Sequence, residues 1–186
     1  MGLRNMLLEY FFIALCFIIM LYVQDELSYD KYNENADNIA RIVFKADING
    51  GKINESVTMP PVAATMKKDF PEAQDATRIL PWGDAKILYK DKVFKDDEFA
   101  FVDNNFFSIF TLPMIKGDPK TALLHEHSVV VSQSTAKKYF GEEDAMGKVI
   151  VMTIDNNQPY TVTGIIKDVP ANAHFHFDMF TSLTGF

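Results

Sequence analysis

Residues 10–23, reading YFFIALCFIIMLYV, pass without a charge, and the acidic stretch QDELSYD follows at once. Met6, Leu7 and Leu8 lead into the run with only Glu9 interrupting. An apolar helix is therefore expected over residues 6–23. At 1.5 Å per residue it covers about 27 Å, just short of the ~30 Å hydrocarbon core of a bilayer. The chain after residue 23 has the mixed polarity of a water-soluble domain. The expected organisation is one membrane helix carrying an extracytoplasmic domain.

Two other uses of such a segment fit less well. A cleaved secretory signal has a basic start, which Arg4 supplies, but it ends in a small-x-small site. The sequence at the end of the run is Leu21-Tyr22-Val23-Gln24-Asp25. A lipoprotein signal ending at Cys16 requires a small residue before the cysteine. Leu15 stands there, and seven more apolar residues follow. An uncleaved transmembrane helix is expected instead. Arg4 lies before it, while Asp25, Glu26 and Asp30 precede the first lysine after it, Lys31. The positive-inside rule then puts the N-terminus in the cytoplasm and the domain outside.

Composition narrows the partners. The 186 residues carry a net charge of −7, with no basic stripe to neutralise phosphates, so nucleic acid is not an expected partner. Electrostatic docking on anionic lipid is disfavoured for the same reason. The single cysteine, Cys16, rules out a disulfide framework within the chain. At 48% hydrophobic residues, 16 of them Phe, the chain is globular in character.

Residues 24–38 have helical character, with Leu27, Tyr29 and Tyr32 recurring among polar residues and Asp37-Asn38 as a stop. No Gly/Ser/Pro linker intervenes, so continuation of the membrane helix makes this a stiff helical stalk. Residues 39–48 are β-rich, Asn49-Gly50-Gly51 is a turn, and residues 52–58 return as a hairpin. Pro60-Pro61 opens a helix to about Phe70, with Val62, Met66 and Phe70 on one face. Strands are expected at 76–81, 84–89, 92–94, 98–102, 128–132, 148–154, 159–169 and 174–180. Short helices are expected at 103–110, 119–124 and 133–140, the last capped by Ser132 and stopped by Gly141. The fold class is α+β: an N-terminal transmembrane helix, then an extracytoplasmic domain of many short strands and three or four short helices. The expected spans are 1–23 for the membrane helix, 24–38 for the stalk and 39–186 for the domain.

Candidate chemistry is sparse. Residues 141–148, GEEDAMGK, resemble a phosphate loop only superficially. Five residues separate the glycines, two Glu and an Asp would repel phosphate, and Val149 replaces the required hydroxyl. His174, His176 and Asp178 alternate, so on a strand they share one face and offer metal ligands, with Phe175, Phe177 and Met179 on the other. A strand with one polar and one buried face explains the same pattern. His125 and His127 repeat the spacing in a loop. Ser132 and Ser134 lack a nucleophile elbow, and helix capping accounts for Ser132. No residue is assigned a catalytic, cofactor-binding or metal-binding role, and no cofactor is implied.

Several groups of residues carry a resemblance. Residues 22–32 (YVQDELSYDKY) with Asn35-Ala36-Asp37-Asn38-Ile39 and Arg41-Ile42 come first. Phe70-Pro71-Glu72, Thr77-Arg78, Val102-Asp103, Phe106-Phe107, Phe110, Gly117-Asp118-Pro119 and Ala122-Leu123 follow in order. Then come Ser128-Val129-Val130, Ser132, residues 136–141 (AKKYFG), Gly147-Lys148, residues 160–164 (YTVTG), Asp168-Val169-Pro170, and His174-Phe175 with Phe177-Asp178. In this order and spacing they resemble FtsX-like ABC transporter permeases with a MacB-type periplasmic core domain, over about residues 22–182. Residues 1–12 depart from the small-residue first helix of that family, and Ala145 stands where a proline is common.

The resemblance implies a non-enzymatic permease in the bacterial inner membrane. Its implied partners are a cytoplasmic ABC ATPase subunit, a second permease copy or second module, the membrane, and a periplasmic partner protein. It further implies that these residues are the N-terminal part of a longer permease. Its work would be mechanotransmission: ATPase-driven motion of membrane helices carried to the periplasm for export or for lipoprotein or peptide handling. The competing readings are a membrane-anchored sensor or ligand-binding module, and an anchored hydrolase using His174, His176 and Asp178.

Overall fold

The computed structural model describes residues 2–96 and 98–184. Residues 1, 97, 185 and 186, which the expected spans include, lie outside the described residues. Helix α1 runs Leu3–Glu26. Its Met6–Glu26 portion is long and apolar enough to cross a membrane, about 32 Å at 1.5 Å per residue, and none of its most apolar window is buried against protein. A helix that is apolar all round and unpacked has the character of a membrane span.

The helix ends at Glu26, where residues 24–38 were expected to continue it. Both the amide and the hydroxyl of Ser28 donate to the Asp25 carbonyl, at 2.9 and 2.7 Å. Asp30 has φ +57°, outside the right-handed helical region. Residues 27–35 are turns, closed by one 3₁₀ turn at Ala36–Asn38.

Strands β1 (Phe44–Ile48) and β2 (Gly51–Glu55) form the expected hairpin as a separate two-stranded sheet. Asn49 and Gly50 both take positive φ, +53° and +81°, as a tight two-residue turn requires. Helix α2 (Val62–Asp69) follows, with no fully buried residue.

The remaining strands are β3 (Ile79–Trp82), β4 (Ala85–Tyr89), β5 (Lys92–Asp96), β6 (Phe99–Val102), β7 (Met114–Lys116), β8 (Ser128–Ser132), β9 (Val149–Met152), β10 (Gln158–Ile166) and β11 (Met179–Ser182). They build a nine-stranded sheet in the order β3-β6-β11-β8-β10-β9-β4-β5, with β7 also paired to β10. β8 with β10 and β6 with β11 are parallel, and the other pairs are antiparallel. Pro81 lacks an N–H, and it sits in β3 at the edge of the sheet, where proline is tolerated. The two remaining helices are α3 (Phe106–Ile109) and α4 (Gln133–Phe140).

Alternation along the central strands makes two cores. Phe99 and Phe101 of β6, Val129 and Val131 of β8, and Met179 of β11 face α4, whose Tyr139 and Phe140 cover them. Ala100, Val102, Val130 and Phe180 face the other side, where α3, Leu112 and Leu123 lie. Burial on both faces explains why these strands read as unbroken apolar runs. Phenylalanines fill the second core: Phe106 stacks on Phe110 and on Phe180, each at 4.9 Å between ring centres.

Three expectations need correction. The last strand starts at Met179, not at residue 174, because residues 170–178 form a loop whose Phe175 and Phe177 stack into the second core. Residues 119–124 are turns rather than a helix. β7 was not anticipated. It is a three-residue strand whose Met114 lies against Gly164 of β10.

Candidate functional site

The feature that links helix to domain is a collar, residues 28–34, folded back onto the body. Asp30 accepts from the His174 backbone N–H at 3.0 Å and is paired through its second oxygen with His174 Nδ1. The Asp30 amide donates to the Asn172 carbonyl at 2.9 Å. Asn172 returns the contact: its Nδ2 donates to the Ser28 carbonyl and lies 3.0 Å from Ser28 Oγ. The Tyr29 ring meets the His174 ring edge to face at 5.3 Å.

A second anchor lies one turn further on. Asn33 is 5% exposed, and its Oδ1 accepts from the Thr111 amide at 2.9 Å while Thr111 Oγ1 accepts from the Glu34 amide at 3.1 Å. The Asn33 side-chain amide also donates to the Asp30 carbonyl at 3.2 Å, which joins the two anchors. Tyr32 packs against the second core, and its burial pushes its phenol above the ordinary tyrosine range. Helix and domain are therefore joined by a docked segment whose Asp30 and Glu34 amides and Ser28 carbonyl bond to the body, not by a free linker.

The docking loop is tied in turn to the centre of the sheet. Phe175 and Phe177 stack on each other at 5.7 Å and meet Phe180 edge to face. The Asp178 amide donates to the Glu98 carbonyl at 2.7 Å, and its carboxylate accepts from Ser132 Oγ at 2.9 Å. Ser132 is fully buried and caps α4, its Oγ accepting from the Thr135 amide at 3.2 Å. Ser134 Oγ lies 3.1 Å from it, and the Ser134 amide donates to Asp168.

The residues singled out in the sequence thus separate. His174 turns to the collar and Asp178 to Ser132, while His176 is exposed on the loop. Ser132 is engaged as a cap, and no imidazole lies among the contacts described for it. His127 lies at the opposite end of β10, with Nε2 3.3 Å from Asp155. Asp155 also accepts from the Tyr160 hydroxyl at 2.9 Å; burial first, and then that bond, raise the Tyr160 phenol well above its ordinary value. In residues 141–148, Glu143 takes Lys148 at 2.6 Å and Lys90 at 2.9 Å, and Asp144 takes Lys116 at 2.9 Å. The lysine that a phosphate loop would offer is already paired. The collar was missed because its chemistry lies in contacts 144 residues apart in sequence, as between Asp30 and His174.

The chain thus joins a helix long and apolar enough to cross a membrane to a mixed-sheet α+β body through a docked collar. The family model described as the MacB-like periplasmic core domain matches residues 13–186, and the chain belongs to that family, a periplasmic domain of ABC-type permeases. A search of curated proteins finds no match. Among solved structures, a domain of a protein described as a permease from Porphyromonas gingivalis is similar at TM-score 0.59 and 25% identity, over 67% of this chain and 57% of that one. The periplasmic region of MacB from Actinobacillus actinomycetemcomitans is similar in fold at TM-score 0.54 and 16% identity, over 80% and 68%. The chain thus spans little more than half of the Porphyromonas chain.

Proposed function

We propose that this chain is the first membrane helix and extracytoplasmic domain of an ABC permease, with no catalysis of its own. In this reading it carries motion from a cytoplasmic ATPase, through α1, to periplasmic export or lipoprotein or peptide handling. The proposed division of the chain keeps the membrane helix and the core domain, with the docked collar in place of the stalk. The N-terminus is cytoplasmic and the domain periplasmic, as the flanking charges favour. The supporting observation is the collar. Displacing the end of α1 pulls on hydrogen bonds to residues 172–174 and on Thr111, and so on segments packed into the second core. A flexible tether would absorb the same displacement.

The test is copurification of the full-length protein, from its own membrane, with a cytoplasmic ATPase. The expected result is an ATPase whose turnover depends on the permease. A protein that purifies without one, and binds a small molecule through the domain instead, would support the sensor reading.

A further inference from the structure

We infer that the domain rests directly on the bilayer, with the collar and the 170–178 loop in the lipid headgroup layer. This rests on the reading of α1 as a spanning helix. Met6–Glu26 measures about 32 Å against a hydrocarbon core of ~30 Å, and its apolar run ends at Val23, so residues 24–26, the last turn of the helix, stand in the polar layer at the core's edge. Asp30 is four residues beyond Glu26. Even a fully extended chain separates their Cα atoms by no more than about 14 Å. The turns at 27–30 shorten that distance, since the Lys31 amide donates back to Ser28 and the Asn33 amide to Asp30. The polar layer on each side of a bilayer is roughly 5–8 Å deep. Asp30 is hydrogen-bonded to Asn172 and His174, so the loop is held within or directly on that layer.

The loop suits such a position. Ala171, His174 and His176 are exposed, whereas Phe175 and Phe177 turn into the core. Its exposed imidazoles, with the small Ala171 and no exposed phenyl ring, lay hydrogen-bonding groups rather than large apolar side chains against the lipid. The neighbouring segment carries Asp25, Glu26, Asp30 and Glu34 against Lys31, within a chain of net charge −7. That balance fits zwitterionic, amine-bearing headgroups and is repelled by anionic ones. The opposite end of the body is far away. β10 rises from Gln158 to Ile166, about 26 Å at 3.3 Å per residue.

The experiment uses the full chain in phosphatidylcholine–phosphatidylethanolamine vesicles, with single fluorophore-labelled cysteines in a Cys16→Ala background. Ala171→Cys and His176→Cys report on the loop and Gln158→Cys on the far end, all at exposed positions. With lipids bearing a nitroxide on the headgroup, quenching at 171 and 176 is expected to exceed that at 158 by about twofold or more. Replacing part of the lipid by phosphatidylglycerol is expected to weaken it; stronger quenching would overturn the assigned headgroup charge. In the unmutated chain, a fluorophore on Cys16 is expected to be quenched by a nitroxide midway along the acyl chain. If Cys16 is quenched but 171 and 176 are no more quenched than 158, the membrane-resting face is wrong and the spanning helix stands. If Cys16 is not quenched, both fall.

Discussion

Gly117 shows how little freedom one position has. Its φ is +97°, and a Cβ there would sit 2.6 Å from the Thr163 carbonyl oxygen and 3.0 Å from Gly164 Cα, both backbone. Gly117→Ala is therefore expected to cost about 2–4 kcal/mol, combining left-handed strain with a clash that cannot relax. Chemical denaturation measures it. Glu143 makes a different statement. The Lys148 ammonium first, then Lys90, hold its carboxyl down to about 2. A carboxyl depressed in the folded state adds stability that is present above the unfolded glutamate range and lost as the pH falls through about 2. Glu143→Gln is expected to lower stability by the same small amount at pH 6 and pH 8, and to flatten the acid limb between the unfolded glutamate range and about 2. Salt is expected to shrink the difference, because the group is exposed.

At the scale of elements, the collar and the 170–178 loop act as one unit. Single alanine variants of Asp30 and His174 are expected to couple in a double-mutant cycle by about 0.2–1 kcal/mol, the range of a partly exposed pair. Asp30→Ala is also expected to speed hydrogen exchange at the His174 amide, which donates to the Asp30 carboxylate, more than at the Asp30 amide, which donates to the Asn172 carbonyl. These elements also show what a sequence displays and what it hides. The β1–β2 turn was legible because Asn49-Gly50 has the left-handed preference that the turn demands. The Ser132 cap and the Gly141 stop of α4 were legible as local chemistry. The helix end at Glu26 was not, because Leu27, Tyr29 and Tyr32 keep a helical spacing for another reason. Tyr29 meets His174 and Tyr32 meets the second core. Alternation over residues 174–178 reads as a strand, yet the same in-out pattern arises in a loop when Phe175 and Phe177 have a core to enter. Strand order was hidden altogether, since β6 pairs with β11 nearly eighty residues later.

At the scale of the whole molecule, two parts of unlike solvent preference are fixed to each other. The helix exposes apolar side chains all round, and the body buries its own on both faces of one sheet. A stiff stalk was expected between them; a short docked collar stands there instead. The stiffness comes from hydrogen bonds to the body rather than from helix continuity, so the joint is sensitive to changes of length. For the proposed coupling, the decisive measurement is ATPase turnover of the full-length protein reconstituted with a copurifying cytoplasmic ATPase, after a Gly/Ser insertion between Glu26 and Leu27. A matched insertion between Gly50 and Gly51, in the exposed β1–β2 turn, serves as the control. The first insertion is expected to uncouple turnover from the permease, while the second leaves it at the wild-type level. Turnover indifferent to the insertion at the collar would contradict the coupling.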